Sequence, residues 1–247
     1  MAGNARPTLL PSRAWERGLR MSIIKQKQAE KGSQKWLQCL INNSNSIEII
    51  NKEIYSQLNL SKGIEISWLS PLQGNDFSEY SDNDFIERLG IKLQKPLSDF
   101  WPHRGPVWDG LAKTNDHFFL IEAKSHLREL ISTKTEAKEP SLDKIRNALK
   151  KTQSFLKAGP CLDWAEFFYQ YTNRIAHLYF LREINKIPAY MIFLYFINDT
   201  EMNGPTTKEE WEGALKIINM LLGINNHKLN HYLIDIFIST NEITQLV

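Results

Sequence analysis

Residues 107–124, VWDGLAKTNDHFFLIEAK, constrain the fold of this chain more than any other segment. Two short strand-like runs flank the turn-forming pair Asn115 and Asp116, a β-hairpin pattern with a two-residue loop. With that loop, paired positions sum to 231, so Asp109 stands directly opposite Glu122, with Cβ atoms roughly 5 Å apart. Side chains alternate along a strand, which puts Lys124 on the same face as Glu122. Phe118 to Ile121 are continuously apolar, as in a strand covered on both faces and unlike a surface strand, which would alternate. Two carboxylates at this spacing raise each other's pKa, a cost that a divalent cation removes. The competing reading is a surface hairpin in which Asp109 or Glu122 pairs with Lys124, an exposed contact worth little energetically.

At these residues the chain resembles the PD-(D/E)XK nuclease superfamily, whose signature is an acid on one strand and E-x-K on the next: here Asp109, then Glu122, Ala123 and Lys124. The proline that the family places directly before the aspartate is replaced by Trp108, and Pro106 lies further upstream. The resemblance implies a restriction-endonuclease-like fold and a metal-dependent phosphodiesterase acting on DNA more often than RNA. It assigns Mg²⁺ or Mn²⁺ to Asp109, Glu122 and the Ala123 carbonyl, and gives Lys124 the attacking water or the phosphate. Nucleases of this type often place a further glutamate before the hairpin, for which Glu79 stands first, with Asp82 and Glu87 behind it. A helix after E-x-K often supplies polar groups to the site, and Gln170, Asn173 and Arg174 fit that position. Acids at a helix start are also ordinary partners of the helix dipole.

The rest of the pattern is α/β. Residues 33–60 read as two amphipathic helices split by NNSNS, 63–72 as a strand, and 81–90 as a short helix from Ser81 to Gly90. A helix is expected from Ser141 to near Gly159, with Lys150 and Lys151 on an outer face that is either a phosphate-tracking surface or merely solvated. Residues 161–185 read as one largely buried helix with a narrow polar stripe of Asp163, Glu166, Gln170, Asn173, Arg174 and His177. IPAYMIFLYFI at 187–197 is a central strand, too short to span a bilayer, so no membrane role is expected. A capping box from Thr207 to Glu210 opens the next helix, and 232–238 closes the chain as a strand. The expected architecture is a mixed central sheet flanked by helices, one domain over 31–247 after a basic, disordered extension over 1–30.

Eight lysines and arginines against two glutamates fall in residues 1–35, so the remainder is net −4 although the whole chain is +2. An acidic body does not bind nucleic acid indiscriminately, and local patches decide. The loop 100–106, FWPHRGP, brings Arg104 to the mouth of the hairpin, where it could grip a phosphate in two places, with His103 as a loop hydrogen-bonder. Trp101 and Trp108 read as core. Residues 127–140 read as an exposed connection of the kind that closes on substrate. Cys39 and Cys161 lack metal-ligand spacing and read as reduced core thiols of a cytoplasmic protein. His227 and His231 lack a third ligand. The absence of G-x-x-x-x-G-K-S/T and G-x-G-x-x-G loops disfavours ATPases and dinucleotide enzymes. The expected partner is nucleic acid, DNA before RNA, with homodimerisation left open. A binding module of the same fold without catalysis, or a partner-binding protein, is the alternative.

Overall fold

The computed structural model describes residues 23–61 and 63–246. Most of the basic extension lies outside the described residues, but the folded unit begins before residue 31. Ile23–Ile24 form β1, and the side chain of Gln26 reaches Glu79 at 3.1 Å. Helices α1 (Gly32–Asn42) and α2 (Ile47–Leu58) follow, then β2 (Ser67–Ser70) and β3 (Glu79–Tyr80), which pairs antiparallel with β1. Next come α3 (Asp82–Leu89), a single turn α4 (Leu97–Phe100), and the hairpin β4 (Gly110–Lys113) and β5 (Phe118–Lys124). The chain finishes with α5 (Ser141–Leu156), α6 (Tyr169–Tyr179), β6 (Ala189–Ile197), α7 (Lys208–Leu221), β7 (Leu233–Ser239) and α8 (Thr240–Thr244).

The main sheet has the order β2-β4-β5-β6-β7, antiparallel across its first two junctions and parallel across the last two. Its two faces carry separate cores. Leu111, Leu120, Met191 and Phe193 pack under α3, α5, α6 and α7, while Ala112, Phe119, Ile121, Leu194 and Ile236 pack under α1, α2 and α8. The architecture is thus α/β, a mixed sheet flanked by helices with a small antiparallel ribbon beside it. Continuous apolar runs in β5 and β6 follow from this two-sided cover, and each large apolar side chain so buried contributes about 1.5–3 kcal/mol. Trp101 and Trp108 are both core residues. Among the described residues no helix is long and apolar enough to cross a membrane.

Several boundaries differ from the sequence expectation for physical reasons. Residues 161–168 are not helical: Asp163 accepts the Ala165 amide at 2.8 Å, the Trp164 indole donates to the Leu222 carbonyl at 3.2 Å, and Phe168 adopts φ 52°. Side chains satisfy backbone groups that a helix would pair internally, Asp163 taking the Ala165 amide and Thr172 Oγ1 donating to the Trp164 carbonyl at 2.9 Å. The helix begins only at Tyr169 and runs on into a π-helical turn, Phe180–Ile184. α5 ends at Leu156, just short of Gly159, with Lys157 in the left-handed conformation closing it. The capping box is present, with the Glu210 amide donating to Thr207 Oγ1 at 3.3 Å. Both cysteines are free, but only Cys39 is partly buried; Cys161 is exposed in the irregular segment and is no core thiol.

Candidate functional site

The hairpin closes as its loop chemistry dictates. The Thr114 amide donates to the His117 carbonyl at 2.9 Å, and Thr114 Oγ1 accepts from the amides of Asp116 and His117. Gly110 pairs with Ile121 and Lys113 with Phe118, so the register carries Asp109 opposite Glu122. Asp109 Oδ2 accepts the Ala123 amide at 2.8 Å, which fixes the aspartate against the end of β5. A second pairing brings in Glu79. Trp108 and Tyr80 form an isolated antiparallel bridge, the Trp108 amide donating to the Tyr80 carbonyl at 3.0 Å. Extending that bridge by one residue sets Glu79 beside Asp109, and three carboxylates from three strand ends form a row.

Glu79 and Glu122 are buried and Asp109 is partly so, and the charges of the row are unevenly balanced. Glu122 is 3 % exposed; its Oε1 accepts from Lys124 Nζ at 2.5 Å and its Oε2 from Arg174 Nε at 2.7 Å. Burial alone would raise the Glu122 pKa, but Arg174 and Lys124 outweigh it and hold the group below its ordinary value. Burial would lower that of Lys124, and Glu122 and Asp109 outweigh it and raise it. Among the described residues Asp109 makes no ion pair within 4 Å, so burial, with the Glu122 charge behind it, outweighs the more distant Lys124 and pushes its carboxyl up to about 8. Glu79 is also raised, by burial first, although the side-chain amides of Gln34 and Gln26 donate to it.

Arg174 is the hub. One turn into α6 and 5 % exposed, it bonds Glu122 through Nε and Nη2, Asn173 Oδ1 through Nη1 at 2.8 Å, and the Val107 carbonyl through Nη2 at 2.8 Å, and it lies over the Trp108 ring. It therefore ties the end of β5 and the segment leading into β4 to one helix. The stripe read from the sequence divides in two: Asn173, Arg174 and His177 are buried, whereas Asp163, Glu166 and Gln170 are not. His177 Nδ1 donates to the Asn173 carbonyl at 2.8 Å and its ring sits against Trp101 and Trp108, where burial lowers its pKa to about 3 and keeps it neutral.

A cleft of about 810 Å³ opens on the other side of Arg174, between the loop 102–107, the segment 132–138 and the start of α6. Arg104, Asn173, Arg174 and Gln170 all line it. Gln170 also borders a small hollow shared with Glu122 and Lys124, so it stands between cleft and carboxylates. Arg104 has φ 68° and its amide donates to Asp82 Oδ2 at 3.1 Å; Asp82 accepts the Gly105 amide as well, which commits it to this loop. Lys150 and Lys151 lie apart, around a shallow hollow with Phe155 and Tyr179, and are not brought to the carboxylates. The sequence reading missed Gln26 and Gln34, whose amides hold Glu79, and Lys134, Lys138 and Tyr169, which line the cleft. Only the exposed, charge-mixed character of the segment 127–140 hinted at the lysines.

The donor set suits a hard cation in kind, being carboxyl oxygens, with Asp109 holding a proton that a cation could displace. Its arrangement is looser, because Glu79 is drawn toward two glutamines and Glu122 toward two cations. Among the described residues no group of three or more His, Cys, Asp or Glu side chains is disposed to hold a metal ion. Comparison with protein-family models, with curated proteins and with solved structures finds no match to this chain.

Proposed function

We propose that this protein is a metal-dependent nuclease that hydrolyses phosphodiester bonds, DNA before RNA, at the Asp109, Glu122 and Lys124 cluster, in the manner of the PD-(D/E)XK nucleases it resembles. The observation that supports this most is the charge imbalance at Asp109. A carboxyl pushed up to about 8 beside two further carboxylates is a place where a divalent cation is favoured over a proton. Asp109 and Glu122 would hold Mg²⁺ or Mn²⁺, with the Ala123 carbonyl as a further oxygen donor. Bound there, such an ion supplies a water of lowered pKa and neutralises charge on the phosphate. Lys124, anchored on Glu122, orients the water or the phosphate, and Arg174 fixes Glu122 in place so that the site needs little reorganisation. Gln170 faces the substrate from the cleft side.

The saturation of Glu122 by Lys124 and Arg174 favours one other reading, a binding module of the same architecture whose cluster is a structural ion-pair network. Purified protein incubated with single-stranded, duplex and branched DNA and with RNA, in Mg²⁺, Mn²⁺ or EDTA, separates the two. Cleavage that needs the metal and is lost in Asp109→Asn is expected. Binding without cleavage under every condition would reject the enzyme.

A further inference from the structure

We propose that the cleft between the 102–107 loop and the 132–138 segment takes an unpaired strand of nucleic acid, not the body of a duplex. The proposal rests on the nuclease reading and narrows its substrate. The charge is of the right sign: Arg104, Lys134, Lys138 and Arg174 line the cleft against Glu136, in a chain whose body is otherwise acidic. Tyr169 adds an aromatic ring, and Pro102 and Ile145 add apolar surface, a mixture that suits a base as well as a phosphate.

Both walls are built. Asp82 pins the first by accepting the amides of Arg104 at 3.1 Å and Gly105 at 2.8 Å. The second is tied down where the Thr135 amide donates to the Ala165 carbonyl at 3.0 Å and the Gln170 amide to Ser132 Oγ at 2.9 Å. Size then selects the ligand. At about 810 Å³ the cleft is as large as a small-ligand pocket. The body of a duplex, with a major groove alone about 12 Å wide, suits an open face better than a cleft of this volume, whereas a short run of single strand suits the cleft. Gln170 borders both the cleft and the hollow at Glu122 and Lys124, and Arg174 joins the cleft to Glu122, so a strand lying there has its phosphates carried toward that pair. A duplex would instead have to track an open basic face, such as that of α5 around Lys150 and Lys151.

Fluorescence anisotropy with a labelled ten-nucleotide single strand, as DNA and as RNA, and with the ten-base-pair DNA duplex of the same sequence tests this. EDTA keeps turnover out of the measurement. Binding of a single strand at least tenfold tighter than the duplex is expected. The double variant K134A/K138A should lose at least tenfold of that affinity, more than K150A/K151A loses, and its salt slope should fall by about 1.4, since each phosphate contact on a single strand contributes about 0.7. Both lysines are exposed, and unchanged melting of the variants will show that the fold is intact. A duplex bound as tightly as the single strand, or single-strand binding indifferent to K134A/K138A, would overturn the proposal. Because only binding is read, absence of Mg²⁺-dependent cleavage in a parallel assay would remove the nuclease reading and leave this one standing.

Discussion

Neutralising Asp109 should stabilise the protein in metal-free buffer, and increasingly so as pH rises. In the fold its carboxyl titrates near 8, whereas an aspartate in the unfolded chain titrates near 3.9. A carboxyl with a raised folded pKa keeps its proton in the native state, so its contribution to stability is full below about pH 4 and is lost as pH climbs through 8. Each pH unit in that window removes up to about 1.4 kcal/mol. Between pH 5 and pH 8 the loss sums to a ceiling of about 4 kcal/mol. In a protein of this size that corresponds to a melting-temperature shift on the order of 10 °C. Asp109→Asn retains an oxygen for the Ala123 amide at 2.8 Å but cannot ionise. Subtracting the variant's melting curve from that of the wild type, both in EDTA from pH 5 to 9, isolates this group from Glu79, which is also raised. The variant should gain on the wild type as pH rises, and saturating Mg²⁺ should reverse the order by stabilising only the wild type. Parallel curves over the whole range would refute the electrostatic argument, and equal Mg²⁺ responses would refute the assignment of the cation to Asp109.

Arg174→Ala removes the partner of a buried carboxylate and should destabilise the protein by about 3–5 kcal/mol in urea denaturation; a smaller loss than in Glu122→Gln/Arg174→Ala together would show that the pair does not act as one unit. Lys124→Ala should lower Mg²⁺-dependent cleavage by about two orders of magnitude while calorimetric Mg²⁺ binding persists, because it removes no metal ligand; undiminished cleavage would reject the role. Gly204→Ala would place a Cβ 2.1 Å from the Ser125 carbonyl at the end of β5, so a large loss of folded protein in expression and melting assays is expected, and a neutral outcome would contradict the packing of this loop.

The hairpin, its register and its buried charges could be read in the sequence because they are local. A two-residue turn fixes every pair between Gly110 and Lys113 and their partners, and continuous apolarity marks the covered strands. Glu79 could be nominated but not placed, since its position depends on the Tyr80 to Trp108 bridge, a contact with no periodic signature. Arg174 was visible as a polar residue on a buried helix face. Its partner was not, because the choice between solvent phosphate and Glu122 is made by how α6 docks on the sheet. The segment 161–168 misleads for a related reason: its apolar spacing is helical, yet the Asp163 side chain takes the Ala165 amide and Thr135 takes the Ala165 carbonyl, bonds a helix would need.

The order in which the chain can assemble this cluster follows from where its members sit. Asp109 and Glu122 meet as soon as the hairpin closes, whereas Arg174 is a further 52 residues away from Glu122 and arrives only when α6 has docked. Closing that longer loop costs more entropy and comes later. Until then the nascent hairpin must bring two like charges together by itself. Lys124 is on the same strand and bonds Glu122 directly, so the hairpin carries its own neutralising charge from the outset. On this account a lysine proposed for chemistry also serves nucleation, and its loss should slow refolding more than it accelerates unfolding.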